Sequence, residues 1–478
     1  MKILFASPEV APFAKTGGLA DVSGSLPKAL SEISCSISVI LPFYKSVRKL
    51  GLDLKPFSAG GFDFLKYEEA GVEYIFVRND EYYGRDNLYS EAHGDYPDNH
   101  LRFSYFDKAI ISLSRDPATK PDLIHANDWQ TGLVPLYFEI TRDSAPAVKT
   151  LFTIHNIGYQ GLFESSVLDE LAIPRRFYNI DGIEYYGKIS FLKAGIVYSS
   201  AVSTVSEGYR REILTREFGC GMEGILRTRE ADIYGISNGV DYSEWDPASD
   251  RFLTQNYNSA TIGKKIECKK DLIKSANLPA GTVKRPLIGV ISRLAEQKGI
   301  DLFAEAAKEI IDLGASIIIL GTGDEKYNRL CEEIAQRYPE YISSHITFDN
   351  ALAHKIEGGS DMFVMPSRYE PCGLNQLYSM RYGTLPIVRA TGGLDDTVID
   401  LDTDREKGNG IKFPSATKED LIDAVSRAVK LYKDSDSWRK IQEKIMKLDF
   451  SWKISASRYK ALYQKLLSKA GNRGTDAE

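Results

Sequence analysis

The feature that most limits the folds open to this chain is a regular alternation of short apolar runs with stretches of helical periodicity. Such alternation is typical of parallel sheets covered by helices on both faces. The sequence therefore predicts an α/β protein built from two doubly wound domains. The predicted strands are 2–6, 36–41, 73–77, 122–125, 149–153 and 201–204 in the first series, and 286–291, 316–320, 345–348, 361–365, 385–388 and 411–413 in the second.

The length of the chain supports two domains. A single hydrophobic core stops growing at roughly 250–300 residues, and this chain has 478. An Asn-Gly pair, an Asp-Pro pair and scattered polar residues interrupt the periodicity between 238 and 258. We therefore expect domains at 1–245 and 246–450, an amphipathic helix at 451–470 that packs back on the first domain, and a polar, disordered tail at 471–478.

Composition excludes several classes of function. A net charge of −6 argues against a nucleic-acid-binding surface. No segment has the roughly 18–20 apolar residues of a membrane span, and the apolar run at the start ends at Pro8, too early for a signal peptide. The five cysteines are scattered and the six histidines lack metal-binding spacing, so we expect no disulfide framework and no metal site. A reducing cytoplasm is the expected location.

The loop after the first predicted strand suits an anion. Lys15 precedes Gly17 and Gly18, which stand where the chain enters a helix. Glycine lets backbone N–H groups approach a ligand closely, and a helix N-terminus carries partial positive charge. The spacing fits neither the dinucleotide fingerprint nor a Walker loop. A plain glycine-rich turn is the alternative.

Polar residues also follow the fourth and fifth predicted strands. Asp128 comes just after the fourth, and His155 and Asn156 follow the fifth, ahead of a glycine-containing loop. These side chains can bind sugar hydroxyls. The alternatives are a structural histidine, and an aspartate that only caps the next helix.

In the second half, Arg293 and Lys298 follow the strand that opens the domain. A bidentate guanidinium and an ammonium make a good diphosphate clamp, with a solvated basic loop as the alternative. Glu370 stands before Pro371 in a rigid turn and could bind a hydroxyl-rich ligand, or could only favour the helix that follows. The glycine-rich turn 391–393 again offers N–H groups to a phosphate.

Two further motifs have plainer explanations. The segment 400–404 has the Asp-x-Asp pattern by which some glycosyltransferases hold a metal, but it lies among polar residues, away from the important strand ends. We interpret it as a surface loop. The turn 321–324 follows a strand and could touch a nucleotide, but it is also an ordinary strand-to-helix turn.

Taken together and in this order, these segments resemble the bacterial glycogen synthases and plant starch synthases. The resemblance runs from residue 1 to about residue 468. It implies a GT-B fold, in which two Rossmann-like domains face each other across the active site and the last helix crosses back to the first domain. The matching stretches are 15–22, 125–132, 153–163, 293–299, 369–376, 382–386, 391–394 and 449–452, with Tyr459 and Tyr463.

The resemblance also implies the activity: transfer of glucose from ADP-glucose to the non-reducing end of an α-1,4-glucan, with no metal and no cofactor. The nucleotide sugar would belong mainly to the second domain, and the acceptor side with part of the donor site to the first. The implied catalytic residues are Glu370, His155, Arg293, Lys298 and Asp128. The implied donor-binding residues are Lys15, Gly17, Gly18, Phe348 (stacked on adenine), Cys372, Gly373, Leu374, Thr391, Gly392 and Gly393, and the implied acceptor residue is Asn156.

The residue at position 378 narrows the choice of family and bears on the mechanism of glucose transfer. Many retaining GT-B enzymes have a second glutamate eight positions after the first, where this chain has Tyr378, as in the starch and bacterial glycogen synthases. Retaining glycosidases need two carboxylates about 5 Å apart, and no such pair is evident. We therefore favour same-face substitution, with the leaving diphosphate accepting the proton of the acceptor hydroxyl.

Two other functions stay open on the sequence alone. One is a different GT-B enzyme that uses UDP-glucose or acts on sucrose or trehalose, because the choice of base is weakly encoded in single residues. The other is a catalytically silent α-glucan-binding or scaffolding protein, against which the full set of charged residues argues.

Overall fold

The computed structural model describes residues 1–91, 94–142 and 148–468. The chain divides into two compact units. Unit 1 is Met1–Gly239 with the segment that begins at Trp452, and unit 2 is Val240–Ser451. The tail expected at 471–478 lies outside the described residues.

The described part of unit 1 is organised around a nine-stranded sheet in the order β14-β13-β9-β8-β1-β2-β5-β4-β3. Its strands are parallel except at the β5-β4-β3 end, which is antiparallel. The bounds are β1 Lys2–Ala6, β2 Ser36–Pro42, β3 Lys55–Ala59, β4 Phe62–Glu69, β5 Val72–Arg78, β6 Ser90–Glu91, β7 Gly94–Asp95, β8 Leu123–Asn127, β9 Lys149–Ile154, β10 Leu162–Glu164, β11 Glu184–Tyr185, β12 Lys188–Ser190, β13 Ala201–Thr204 and β14 Ile233–Gly235.

The central strands form because their residues are apolar and buried on both faces, as in parallel sheets generally. In β1, Ile3, Leu4, Phe5 and Ala6 are all buried. Helices cover the faces of the sheet. They are α1 Gly18–Glu32, α2 Lys45–Arg48, α3 Asp80–Tyr83, α4 Asn99–Arg115, α5 Leu133–Ile140, α6 Phe191–Tyr198, α7 Glu207–Ile213 and α8 Glu223–Thr228.

Unit 2 has a six-stranded parallel sheet in the order β17-β16-β15-β18-β19-β20. Counted from β15, this is the 3-2-1-4-5-6 order of the Rossmann fold. The order reverses between β15 and β18, where such folds bind ligands. The bounds are β15 Leu287–Ile291, β16 Ser316–Gly321, β17 Ile342–Ile346, β18 Met362–Met365, β19 Leu385–Arg389 and β20 Ile411–Phe413.

One predicted strand of unit 2 was misplaced. The strand expected at 345–348 is β17, Ile342–Ile346, which begins and ends earlier. β17 is an edge strand whose Ser343 and Ser344 are only half-buried, so its apolar signal is weak. Phe348 therefore lies in the loop after the strand.

The helices of unit 2 pack on both faces of its sheet. Their amphipathic sequences supply the apolar faces, as in α10, where Ile300, Phe303 and Ile310 are buried. The predicted α/β class is confirmed. The bounds are α9 Lys265–Ser275, α10 Ile300–Asp312, α11 Glu325–Arg337, α12 Asn350–Gly359, α13 Asn375–Arg381, α14 Gly392–Thr397, α15 Lys418–Tyr432 and α16 Ser435–Ile445.

The last described helix, α17 Trp452–Ser468, belongs to unit 1. The Tyr463 hydroxyl lies 2.7 Å from Nδ1 of His125 on β8. Nε2 of His125 lies 2.6 Å from Oγ1 of Thr153 on β9. This helix is thus tied by hydrogen bonds to the centre of the sheet. Within the described residues, no helix combines the length and apolarity that crossing a membrane requires.

Candidate active site

The polar residues of unit 1 gather at one edge of the sheet because β1, β8 and β9 are adjacent and parallel. Asn127 is the last residue of β8, and Asp128 follows it. His155 follows the last residue of β9. The loop that contains Lys15 follows β1, so it leaves the sheet at the same edge.

A buried carboxylate that the sequence analysis missed organises the Lys15 loop. Glu9, 4% exposed, accepts hydrogen bonds from the N–H of Thr16 (2.5 Å), the hydroxyl of Thr16 (2.7 Å) and the N–H of Gly17 (3.2 Å). The hydroxyl of Tyr89 donates a fourth, at 2.8 Å. The N–H of Gly17, expected to face an anionic ligand, is therefore bonded to an internal carboxylate.

Lys15 and Gly18 flank that contact, and both are exposed. Gly18 is the first residue of α1. The Lys15 ammonium lies 2.6 Å from Oδ1 of Asp21, one turn into the helix. Burial raises the pKa of Asp21, and the charge of Lys15 opposes that rise. The Lys15 ammonium thus stands beside the N-terminus of α1, paired with Asp21.

Asp128 holds the turn that follows β9. Its Oδ1 accepts the N–H of His155 at 2.7 Å. Burial raises the pKa of Asp128 to about 7, against hydrogen bonds from the N–H groups of His155 and Asn156 that lower it. Its backbone has φ +58°, an uncommon conformation for a residue other than glycine. A positive φ and a raised pKa are both features that concentrate at functional sites.

His155 is buried, 8% exposed, and its Nε2 lies 2.9 Å from Oδ1 of Asn127. Burial lowers the pKa of His155 to about 3, so the ring is neutral at physiological pH. Asn156 is half-buried, and its side-chain oxygen accepts the N–H of Gly158 at 3.0 Å. The structure thus places Asp128, His155 and Asn156 close together after β8 and β9.

In unit 2 the loops after β15 and β18 are neighbours because those strands pair. The ammonium of Lys298 donates to Oε2 of Glu370 at 2.6 Å, and the hydroxyl of Ser367 donates to the same oxygen at 2.9 Å. Glu370 is 5% exposed. Arg293 is exposed, and its guanidinium donates to Oε1 of Gln297 at 3.2 Å.

An ion pair outside the predicted residues fixes these two loops to each other. The guanidinium of Arg368 bonds both carboxylate oxygens of Asp301, at 2.8 and 2.7 Å, and the carbonyl of Glu296 at 2.8 Å. The backbones of these two loops also lie close together. Gly299 has φ +65°, and a Cβ there would lie 2.1 Å from the carbonyl oxygen of Pro366, so only glycine fits.

The turn at Thr391–Gly393 packs directly on the Glu370 loop. The N–H of Gly393 donates to the carbonyl of Glu370 at 3.0 Å, and a Cβ on Gly393 would lie 2.3 Å from the carbonyl oxygen of Cys372. The amide of Gly393 is thus bonded within the protein, and Gly392 begins α14. Helix α13 begins at Asn375, directly after Cys372, Gly373 and Leu374.

Three residues considered in the sequence analysis lie outside the clusters described above. Phe348 is 76% exposed in the loop after β17. Asp400 is buried, 5% exposed, and pairs with Arg427 at 3.2 Å, so the prediction that 400–404 is a plain surface loop is wrong for this residue. Tyr378 lies parallel to Trp245 with ring centroids 4.1 Å apart. Across the described residues, no group of three or more His, Cys, Asp or Glu is arranged to hold a metal.

Comparisons with known proteins agree over nearly the whole chain. The family model of the starch synthase catalytic domain matches residues 2–228, and that of glycosyl transferases group 1 matches residues 277–445. The glycogen synthase of Koribacter versatilis is 43% identical to this chain, over 97% of this chain and 98% of its own length. The glycogen synthase of Thermosipho africanus is 44% identical, over 98% of this chain and 100% of its own length.

Solved structures give the same result. The catalytic domain of starch synthase IV from Arabidopsis thaliana, bound to ADP and acarbose, is 33% identical, with a TM-score of 0.89 over 98% of this chain and 99% of that one. Sucrose-phosphate synthase from Thermosynechococcus elongatus, 17% identical with a TM-score of 0.62 over 98% and 99% of the chains, shares the fold alone.

The Rossmann-like units and the polar residues at their strand ends define a glycosyltransferase of the GT-B class. Likeness over almost the full length then narrows the class. The chain belongs to the family of bacterial glycogen synthases and plant starch synthases, and the resemblance seen in its motifs is confirmed.

Proposed function

We propose that the chain transfers glucose from ADP-glucose to the non-reducing end of an α-1,4-glucan, with retention of the anomeric configuration. The observation that carries this proposal is the pairing of Lys298 with the buried Glu370 where the strand order of unit 2 reverses. A cation and a rigid carboxylate at this point suit a ligand that combines phosphate with sugar hydroxyls.

Arg293 and Lys298 bind the diphosphate in this proposal, and Lys15 contributes a further positive charge from unit 1. Arg293 is exposed and presents a planar guanidinium, which suits bidentate contact with phosphate oxygens. The amides of Gly17 and Gly393 are bonded to Glu9 and Glu370. The amide of Thr391 is likewise bonded inside the protein, to the carbonyl of Arg389. We therefore assign the backbone contact to Gly18, with Gly17 and the turn Thr391–Gly393 shaping their loops.

Within unit 2, Glu370 and the backbone of residues 372–374 bind the hydroxyls of glucose in this proposal. Within unit 1, we assign Asp128 and His155 to the transferred sugar and Asn156 to the acceptor. Phe348, exposed after β17, stacks on the adenine. The related Arabidopsis catalytic domain has ADP and acarbose bound, which supports a nucleotide diphosphate among the ligands of this chain.

Retention follows from same-face substitution. The bond from glucose to phosphate loosens, a cation-like sugar forms, and the acceptor 4-hydroxyl attacks from the side of the leaving group. Its proton passes to the departing diphosphate, so no second carboxylate is needed. Tyr378 supports this scheme because its ring stacks on Trp245 where other retaining enzymes have a glutamate. The fixed charges of Lys15, Arg293 and Lys298 stabilise the developing negative charge.

The decisive experiment offers ADP-glucose or UDP-glucose to the purified chain, with and without glycogen as acceptor, and measures release of ADP or UDP. The expected result is ADP release that depends on glycogen. β-Amylase digestion and the anomeric coupling constant of the product then test for an α-1,4 linkage. Preference for UDP-glucose, or release without glucan, would contradict the proposal.

We also propose a cytoplasmic location. All five cysteines are free in the structure, which suits a reducing compartment. Fractionation of the native host would test this.

A further inference from the structure

His155 has one ring nitrogen bonded inside the protein and one without a partner. Nε2 lies 2.9 Å from Oδ1 of Asn127, whereas Nδ1 is buried and has no hydrogen-bond partner among the described residues. A buried polar atom without a partner costs free energy, so a ligand group that bonds Nδ1 would be favoured here.

The protonation of His155 follows from the orientation of Asn127. The Asn127 amide nitrogen donates to the carbonyl oxygens of Ala6 (3.0 Å) and His125 (3.3 Å). Its oxygen must therefore be the atom that faces His155, and an amide oxygen only accepts hydrogen bonds. Nε2 must carry the proton, which leaves a lone pair on Nδ1.

A neighbouring contact fixes the backbone of the same residue. Asp128 accepts the N–H of His155 at 2.7 Å, so successive residues at the end of β8 hold its main chain and its ring. The titratable groups around the ring are His125, also buried and with its pKa lowered by burial, and Asp128, beyond which lies Glu9. Burial likewise lowers the pKa of His155, which keeps the lone pair on Nδ1 available.

We infer that Asn127 is a positioning residue that fixes His155 as a hydrogen-bond acceptor for a hydroxyl of the transferred sugar. The inference rests on the proposed function for the identity of the ligand. A hydroxyl fits because it can donate to Nδ1, whereas a phosphate oxygen or a carbonyl, which only accepts, would be repelled. Asn127 thereby makes the site select a hydroxyl at one ring position of the glucose.

The tautomer can be measured directly. In protein labelled with ¹⁵N-histidine, the signals of His155 are assigned by their loss in His155→Phe. We expect a protonated Nε2 and an unprotonated Nδ1 in the unaltered protein, and a changed tautomer ratio in Asn127→Ala. Asn256→Ala is the matched control, because the Asn256 amide also donates to two carbonyls, of Pro247 and Asp250, and should leave the spectrum unchanged. A protonated Nδ1 in the unaltered protein would overturn the inference.

The direction of the hydrogen bond can be tested with donor analogues in which fluorine, which accepts but cannot donate, replaces each glucose hydroxyl in turn. In the unaltered enzyme, one position should lose about tenfold in kcat/KM beyond its inductive effect. That extra loss should shrink to about twofold in Asn127→Ala, where the inductive effect is the same. An identical penalty pattern in both enzymes would refute the positioning role.

The unaltered enzyme keeps the inference testable if Asn127→Ala fails to fold, since both the tautomer and the analogue penalty are measured on it. The two proposals also fail differently. If ADP-glucose with glycogen releases no ADP, the proposed function fails while the tautomer measurement still stands. If ADP is released and Nδ1 carries the proton, only this inference fails.

Discussion

Lys298 and Glu370 stand 72 residues apart in the sequence, and their side chains meet with Nζ 2.6 Å from Oε2. Both side chains are largely shielded, at 21% and 7% exposure. A shielded carboxylate needs a cation beside it, because charge is costly to remove from water. In the proposed function, this pair fixes the carboxylate of Glu370 in place and presents Lys298 to the diphosphate.

The first prediction is that Lys298→Ala reduces both activity and stability. Turnover should fall by about 10²–10³, as for removal of one oxyanion-stabilising donor. Stability should fall by about 2–3 kcal/mol, less than for a fully buried pair. Initial rates of ADP release and denaturant unfolding measure the two effects. Restored stability without restored turnover in Lys298→Met with Glu370→Gln would separate them, and near-normal turnover in Lys298→Ala would rule out the clamp.

The second prediction is that Arg293→Ala lowers turnover by a similar factor of about 10²–10³ but leaves stability nearly unchanged. Arg293 is exposed, and substitutions at exposed positions usually change stability by less than about 0.5 kcal/mol. Arg329→Ala, which removes an exposed arginine paired with Glu325 on α11, is the matched control. Full activity in Arg293→Ala would remove this residue from the donor site.

The third prediction concerns the pair Arg368 and Asp301, which joins the Lys298 loop to the Glu370 loop. Asp301→Asn should lower turnover about tenfold through small displacements of both loops. Stability should change by under about 1 kcal/mol because both side chains are 35% exposed. The exchange Arg368→Asp with Asp301→Arg should recover part of the rate. Equal activity in Asp301→Asn and the parent enzyme would show that the pair does not position the loops.

The sequence predicted features that depend on neighbouring residues, such as the ends of strands. It did not predict contacts between residues that are far apart in the chain. Buried parallel strands are continuous apolar runs. Their ends could therefore be located to within a few residues, and with them the positions of Asp128, His155, Arg293 and Glu370. The position of strand β17, Ile342–Ile346, was predicted wrongly because its serines weaken the apolar pattern of this edge strand.

The partners of those residues could not be predicted, because they come from distant parts of the chain. Glu9 bonds Tyr89 across 80 positions, and Arg368 bonds Asp301 across 67. Nothing in the spacing indicates that the amide of Gly17 is bonded to Glu9. A carboxylate of the protein and an anionic ligand both suit the same kind of glycine-rich loop. Phe348 was the last residue of a predicted strand. Because strand β17 ends earlier, at Ile346, Phe348 lies in a loop.

The fourth prediction is that Tyr463→Phe destabilises unit 1. The change leaves Nδ1 of the buried His125 without the hydroxyl 2.7 Å away, at a cost of about 1–3 kcal/mol. Thermal unfolding and the rate of proteolysis within α17 measure the loss. Tyr67→Phe is the matched control, since the Tyr67 hydroxyl makes only a 3.4 Å contact with Glu69 at the surface. An unchanged melting temperature would show that the bond between Tyr463 and His125 does not stabilise the packing of α17.

The fifth prediction concerns Glu357, a carboxyl that is fully buried on α12. Burial raises its pKa from 4.5 to about 8, against a hydrogen bond from Ser379 and the charge of Lys265, both of which lower it. Between these values the folded chain binds a proton that the unfolded chain releases. The stability that this group provides is therefore complete below pH 4.5 and is lost as pH rises towards 8.

Glu357→Gln should remove this dependence. Relative to the parent, the variant should gain about 2–4 kcal/mol between pH 5 and pH 7.5 in the unfolding of unit 2. The range stops there because burial lowers the pKa of the neighbouring Lys265 to about 8, which would add its own titration. Glu267→Gln, at an exposed carboxylate on α9, controls for loss of surface charge. A pH-independent difference between Glu357→Gln and the parent would mean that Glu357 ionises normally in the folded protein, and that its surroundings are wetter than its burial indicates.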